Sequence, residues 1–217
     1  MKAKLVVPNH LSAIKLWQYQ KFLKLQEESA DDKFLSMKLI EIFCEVDLAD
    51  VMKIKLNDVM RIANHLTNLL NNQPKLVKHF TMDNIEYGFI PNLEAISMGE
   101  FVDLDTYLSD WQQMQNAMCV LYRPVKDKYK EKYTIKEYTA EGQEKMKNMP
   151  MDAVLSSILF FYHLGSELSA TMMNYLQTDQ MSLTSQQQET LTQNGVGINQ
   201  FTHSLKEILH ELNISLN

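Results

Sequence analysis

Residues 150–168, PMDAVLSSILFFYHLGSEL, carry the most apolar helical pattern in the chain. Pro150 suits the first turn of a helix, because an amide there would have no intrahelical acceptor. The pattern predicts a helix from residue 151 to about residue 177, with Gly165 permitting close helix packing or a kink. Its longest nearly apolar stretch, residues 154–164, is well below the roughly 18 residues that span a bilayer. We therefore expect this helix at the centre of a protein core and predict no membrane insertion.

Upstream of this helix, apolar residues recur at helical spacing in four segments. These segments predict helices or helical turns over residues 14–25, 34–43, 47–54 and 57–70. Asp32 is a candidate cap for the second of them. Residues 2–7, KAKLVV, read as a short strand that ends at Pro8, because proline lacks the amide donor that a strand needs.

Residues 79–90, HFTMDNIEYGFI, break the helical period. Apolar and aromatic residues lie on either side of Met82-Asp83-Asn84, which predicts a β-hairpin turn. Pairing of this hairpin with residues 2–7 would give a three-stranded sheet. The sequence therefore predicts a small antiparallel β element.

A helix ending at Leu121 is predicted after the hairpin, with Asp103 or Asp105 as its cap. Arg123-Pro124 stops it, because the residue before a proline disfavours helical backbone. The charged segment that follows is expected to be exposed, with a short edge strand at residues 133–138. These elements predict a mainly α (α+β) fold: a helical bundle with a small antiparallel β element and a C-terminal helical arm.

The C-terminal arm is predicted to be separable from the core. Residues 178–197 are rich in Thr, Gln and Ser and contain few apolar residues, which indicates a polar linker. Residues 198–217 form an amphipathic helical pattern beyond it. The expected division is a core domain over residues 1–177, a linker over 178–197 and a helix over 198–217. Deletion of the arm should then weaken assembly and leave the core folded.

Composition excludes several broad classes of protein. The 217 residues include 45% hydrophobic and 22% charged residues, so wholesale disorder is not expected. A net charge of −6 is not that of a general polyanion binder. Six Gly and five Pro are few for a turn-rich β fold, whereas 14 Met are many. Cys44 and Cys119 lie far apart in apolar patterns, which predicts two buried, reduced thiols in a reducing cytoplasm.

The sequence contains none of several common catalytic motifs. It has no Walker A loop, no G-x-G-x-x-G, no G-x-S-x-G elbow and no H-E-x-x-H. His203 and His210 are two helical turns, about 10 Å, apart on the predicted final helix, too far for one metal ion without other ligands. His163 is expected to be a satisfied core residue. We therefore predict no enzyme, no metal and no cofactor.

The middle of the chain is acidic and then basic. Residues 79–122 contain seven acidic residues and no Lys or Arg. Glu100, Asp103, Asp105 and Asp110 within it are interpreted as helix caps, although such density also suits a cation site or a hydrolase. Residues 123–136 contain six basic and two acidic residues, and a solvated loop is the favoured interpretation. The residues of this segment considered for polyanion contact are Arg123, Lys126, Lys128, Lys130 and Lys132.

Methionine-rich helices are candidates for partner binding, because thioethers line adaptable grooves as well as cores. The C-terminal helix is a candidate to dock in such a groove of its own or another copy. The predicted partner-binding residues are Met114, Met118, Met172, Met173, Phe201, Leu205, Ile208 and Leu209.

Three phrases together resemble small proteins encoded among the structural genes of tailed bacteriophages. They are KFLSMKLIEIFCEVDLADVMKIKLNDVMRIANHLTNLL, IEYGFIPNLEAISMGEFVDLDTYLSDWQQMQNAMCVLYRPV and MPMDAVLSSILFFYHLGSEL, and they span roughly residues 34–170. Such proteins are tail assembly chaperones or minor neck, tail or baseplate components. The resemblance implies a non-enzymatic protein in the host cytoplasm or the virion, with phage structural proteins or further copies of itself as partners. A nucleic-acid-associated regulator that uses residues 123–136 is the alternative.

Overall fold

The fold is mainly α with one small antiparallel sheet, as the sequence predicts. A computed structural model describes residues 5–178 and 185–211, and side chains at 175–178, 185–189, 191 and 211 are left aside. The helices are α1 (Leu16–Glu28), α2 (Asp32–Phe43), α3 (Leu48–Val51), α4 (Leu56–Leu70), α5 (Met98–Tyr107), α6 (Met114–Leu121), α7 (Gln143–Met146), α8 (Met151–Thr178) and α9 (Ser185–Glu211). The strands are β1 (His79–Met82), β2 (Ile85–Phe89), β3 (Tyr122–Tyr129) and β4 (Lys132–Ile135).

The first turns of α8, residues 151–161, lie at the centre of the core as the sequence predicts, whereas residues 162–174 are mostly half-buried or exposed. Val154, Leu155 and Ile158 are fully buried. The start of α8 is joined to the start of α1 by main-chain hydrogen bonds, because Leu16 N donates to Met149 O and Met151 N donates to Ile14 O. These hydrogen bonds join the N-terminal ends of α1 and α8, which are far apart in the sequence.

The sheet has the strand order β1-β2-β3-β4, with antiparallel neighbours throughout. The predicted turn is confirmed: Asp83 and Asn84 have φ of 51° and 60°, the left-handed pair that a tight hairpin uses. The predicted third strand is wrong, since residues 5–7 form no strand and residues 1–4 lie outside the described chain. Strand β3 pairs with β2 instead. Helix α6 ends at Leu121 and β3 begins at Tyr122, so the end of α6 places β3 beside β2. The spacing of apolar residues does not predict this arrangement.

The single helix predicted to end at Leu121 is two helices. Helix α5 begins earlier than expected because Ser97 accepts from Glu100 N, while Glu100 Oε2 accepts from Ser97 N at 2.7 Å. Asp103 and Asp105 therefore lie inside α5 and are not its caps. Asp110 interrupts the pattern by accepting from Gln112 N at 2.8 Å.

The predicted linker over residues 178–197 is corrected where it is described, and residues 179–184 of it lie outside the described chain. Residues 185–197 are helical, so α9 begins in the middle of the segment that its few apolar residues suggested was loop. Gln and Glu are good helix formers, and packing of the later turns on α8 extends the helix backwards. Gly165 permits the close approach, since a Cβ there would lie 2.3 Å from Thr202 Oγ1. The C-terminal helix is therefore part of the core in the described chain.

Candidate partner-binding groove

An open apolar groove of about 700 Å³ lies where α5 meets α8 and α9. A 3-10 turn, Leu93–Ala95, closes one end. The rings of Phe161 and Phe201 meet edge to face across the helix junction, 6.4 Å between centroids. The apolar residues that line this groove are Leu93, Ile96, Phe101, Leu104, Phe161, Leu164, Ile198, Phe201 and Leu205.

The lip of the groove is an exposed apolar stripe on α5. Met98, Phe101 and Val102 are 77%, 55% and 50% exposed. On the same side of the helix, Leu104 and the C-cap residue Leu108 are buried. Sequence reasoning missed this stripe, although the spacing i, i+3, i+4 signals an apolar face. Large apolar side chains left in solvent beside a concave apolar surface mark a binding site.

The ionisable residue that lines the groove is acidic, whereas the depression that adjoins it beside Glu94 is also lined by Lys78 and Lys132. Asp105 lines the groove and Glu94 stands on the adjoining turn; both are exposed, and neither is ion-paired within residues 5–178 and 185–211. No Lys or Arg lies among the residues of the described chain that line the groove. A partner with basic residues beside its apolar contacts would complement this surface.

Glu100 and Asp103 are held inside the fold and do not contribute to that acidic rim. Burial opposes ionisation of Glu100, but hydrogen bonds from Ser97 and the charge of Arg123 hold the pKa of this carboxyl below its usual value. Arg123 Nη1 lies 2.7 Å from Glu100 Oε1, with both side chains almost buried. Asp103 Oδ2 accepts from the Tyr138 hydroxyl at 2.8 Å. The residues of the predicted acidic cluster thus have separate roles. Glu100 takes part in the cap of α5 and pairs with Arg123, and Asp103 accepts a hydrogen bond from Tyr138.

The predicted partner-binding residues separate into buried and accessible groups. Met114 and Met118 are fully buried, so they fill the core and cannot meet a partner in this conformation. Leu205, Ile208 and Leu209 are also buried, against the rest of the same chain. Burial of a whole helix face is a tertiary outcome that the amphipathic pattern alone leaves open. The accessible members are Met172, Met173 and Phe201, of which Phe201 lines the groove.

A second methionine-rich surface lies on the helices at the other end of the sequence. Met52, Leu56 and Met60 are 66%, 63% and 43% exposed and border a cleft of about 220 Å³ with Met37. Some of the methionines therefore lie at the surface, but Met52 and Met60 are not among the residues predicted to bind a partner. Only the fold shows which thioethers face solvent.

The basic segment forms a hairpin from strands β3 and β4. Arg123 is paired with Glu100, and Lys128 Nζ lies 2.5 Å from Glu86 Oε1. These two predicted polyanion contacts are therefore already neutralised by carboxylates. The members that remain exposed without an ion pair in the described chain are Lys126, Lys130 and Lys132.

The histidines and cysteines do not assemble a site. His163 is exposed, so its predicted core placement is wrong; it points away from the packed face of α8. His203 Nδ1 lies 3.6 Å from Glu207 Oε1 on the surface of α9. Cys44 and Cys119 are free and buried as predicted, and burial raises the pKa of Cys44 to about 11. No group of three or more His, Cys, Asp or Glu in the described ranges has the geometry to hold a metal ion.

Comparison with protein-family models, curated proteins and solved structures finds no match to this chain. In the part of the chain that the structure covers, no helix combines the length and apolarity that crossing a membrane requires. Function is therefore inferred from the surfaces of this chain and from the sequence resemblance.

Proposed function

We propose that this chain is a non-enzymatic assembly or virion protein of a tailed bacteriophage that acts by protein–protein contact through the groove between α5, α8 and α9. The observation that carries the proposal is the exposed Phe101 at the lip of an apolar groove of about 700 Å³. The phage setting is supported by the sequence resemblance over roughly residues 34–170. The partner is a phage tail, neck or capsid protein, or a further copy of the chain.

The groove suits a protein segment with an apolar anchor. Its walls come from three helices that the core holds in place, so little ordering is needed on binding. Aromatic residues dominate the binding free energy of many interfaces, and Phe101 is the exposed aromatic on this lip. The acidic rim formed by Asp105 and Glu94 favours basic flanks on the bound segment.

A nucleic-acid regulator is the weaker candidate, because two of the five residues predicted to contact nucleic acid already form ion pairs within the chain. Arg123 is paired with Glu100 and Lys128 with Glu86. The three remaining lysines of the set share their strands and turn with Asp127 and Glu131. We therefore expect protein, and not nucleic acid, to be the main partner.

The test is co-sedimentation of the chain with virions purified from infected cells. Wild type should sediment with the particles or with an assembly intermediate. Phe101→Asp should lose this association by more than about tenfold, because a charge replaces the apolar anchor. The matched control is Val6→Asp, which places the same charge at a 67%-exposed residue outside the groove. Equal co-sedimentation of both variants would contradict the groove as the binding site.

A further inference from the structure

We infer that the occupant of the groove is the β3–β4 hairpin of a second copy of this chain. The inference rests on the proposed function of the groove as a partner-binding site and names that partner. Residues 126–132, the end of the hairpin, are called the hairpin tip. Two copies would each place a hairpin tip in the other's groove.

The hairpin tip presents an aromatic side chain to solvent. Tyr129 is 74% exposed, and Lys130 follows it with a φ of 53°, which turns the chain sharply. Lys130 Nζ lies 5.5 Å from the centroid of the Tyr129 ring. Tyrosine beside a cation is a common anchor of protein interfaces, because its ring buries apolar area while its hydroxyl retains hydrogen bonds.

The base of the hairpin is held rigidly, so the tip has a defined position. The Tyr133 hydroxyl donates to Phe89 O at 2.6 Å. The ring of Tyr133 lies against Gly88, where a Cβ would approach it to 2.7 Å. A projecting element that is ordered before binding loses little conformational entropy when it docks.

The hairpin tip and the groove are complementary in charge and polarity. Lys126, Lys130 and Lys132 are exposed without ion pairs in the described chain, whereas Asp105 and Glu94 are the unpaired carboxylates at the groove. The apolar lining offers Tyr129 a concave site of about 700 Å³. The hairpin tip also carries Asp127 and Glu131, so its excess of positive charge is modest, and an apolar anchor with a net basic surround meets an apolar groove with an acidic rim.

The positions of the two surfaces suit a reciprocal dimer. Leu93 lines the groove and also the neighbouring depression, which Lys132 and Tyr133 of the hairpin line as well. The donor and acceptor surfaces therefore adjoin on one side of the molecule. A two-fold axis between them would bring each hairpin tip to the other groove, which closes the assembly at two copies.

The experiment is sedimentation equilibrium of the full chain at low ionic strength. Wild type should form a dimer, and Tyr129→Ser should weaken it by more than about tenfold. The double variants Lys130→Glu/Lys132→Glu and Glu94→Lys/Asp105→Lys should each weaken self-association by more than about tenfold through like-charge contact. Mixed in equal amounts, the two double variants should recover a heterodimer, because both of its hairpin–groove contacts are then oppositely charged. Far-ultraviolet circular dichroism confirms that each variant is folded.

Three results would overturn the inference. These are a wild-type chain that stays monomeric up to about 100 μM, an unweakened Tyr129→Ser dimer, and a mixture that does not recover association. A Tyr129→Ser variant that loses binding to single-stranded DNA while its dimer is unchanged would assign the hairpin tip to nucleic acid instead. Failure of this inference is distinguishable from failure of the proposed function. A monomeric chain whose Phe101→Asp variant no longer co-sediments with virions uses the groove for another phage protein, whereas equal co-sedimentation of Phe101→Asp and Val6→Asp contradicts the groove itself.

Discussion

The indole Nε1 of Trp111 donates a hydrogen bond of 3.1 Å to the main-chain oxygen of Ile208, 97 residues later in the chain. Trp111 is itself buried and meets Tyr19 edge to face, with ring centroids 4.7 Å apart. Trp111 thereby connects α9 to α1, through a hydrogen bond to Ile208 and a ring contact with Tyr19. This contact ties α9 to the core, and the sequence-based division into core, linker and arm stays a prediction for truncation to test.

Removal of α9 should destabilise the core. Truncation after residue 178 exposes the surfaces covered by Leu205, Ile208 and Leu209, each of which contributes about 1.5–3 kcal/mol through burial. We expect a lower midpoint and a loss of cooperative unfolding in urea. An unchanged midpoint would support the sequence-based division into core, linker and arm.

A point variant tests the same packing without truncation. Leu205→Ala should lower the free energy of unfolding by about 2–5 kcal/mol, because Leu205 is fully buried. Val196→Ala on the same helix is the control, since Val196 is 51% exposed and its change should stay within about 0.5 kcal/mol. Urea unfolding followed by tryptophan fluorescence measures both. Equal effects at the two sites would show that α9 is not packed as described.

Gly165→Ala should destabilise the protein despite the higher helix propensity of alanine. The new Cβ would lie 2.3 Å from Thr202 Oγ1, and to relieve the overlap either Thr202 turns away from its hydrogen bond to Ile198 O or α8 and α9 separate. Overpacking of this kind costs about 1–3 kcal/mol, against about 1 kcal/mol gained from propensity. Thermal unfolding should show a lower midpoint.

Two controls make the Gly165 test specific. Gly197→Ala lies in the same helix pair with nothing within 4 Å of the added Cβ, so it should raise stability. Thr202→Ala combined with Gly165→Ala should recover stability by removing the clashing oxygen. A Gly165→Ala variant as stable as Gly197→Ala would refute close packing at this point.

The stability of the fold should depend on the ionisation of Glu100. Its folded-state pKa lies below the ordinary value of 4.5, so the carboxylate stabilises the fold above about pH 4.5. That contribution disappears as the pH falls through the lowered pKa. Glu100→Gln should therefore be less stable near neutral pH and should show a shallower loss of stability in acid. Acid titrations monitored by circular dichroism compare it with the exposed control Glu94→Gln, which should follow wild type.

Arg123→Met should be more damaging than loss of a surface charge. It leaves Glu100 almost buried without its counter-ion, and removal of one partner of a buried pair costs about 3–5 kcal/mol. Lys53→Met is the matched control, because its pairing with Asp50 is exposed. Denaturant unfolding of the two variants gives the comparison. Similar losses from both would show that the Arg123 pair is no stronger than a surface one.

Nucleic-acid binding should be weak and should not depend steeply on salt. Arg123 and Lys128 are engaged by carboxylates, which leaves Lys126, Lys130 and Lys132 to meet phosphates. Three contacts to single strands give a slope of only about −2 in log K against log salt concentration. Fluorescence anisotropy with labelled single-stranded DNA measures it. A steeper slope that collapses in the Lys126→Gln/Lys130→Gln/Lys132→Gln variant would favour the regulator alternative.

Local patterns were enough to predict several elements with their physical causes. Pro150 marked the start of the central helix, and Asp83-Asn84 marked the hairpin turn through their tolerance of left-handed backbone. The caps were less well predicted. Asp32 was expected to cap α2, whereas Asp31 accepts from Lys33 N and Phe34 N. Asp31 and Asp32 are adjacent and chemically alike, so the sequence alone offers both as caps.

The amino-acid sequence by itself determined the helical class, the central position of residues 151–161 and the hairpin over residues 79–90. These follow from periodicity and turn chemistry, which act over a few residues. Only the tertiary structure decided that β3 pairs with β2, that α9 joins the core and that Phe101, not Met114, faces solvent. Such choices depend on which apolar surfaces meet across long sequence separations. An amphipathic pattern shows that a face must be covered, and the fold determines what covers it.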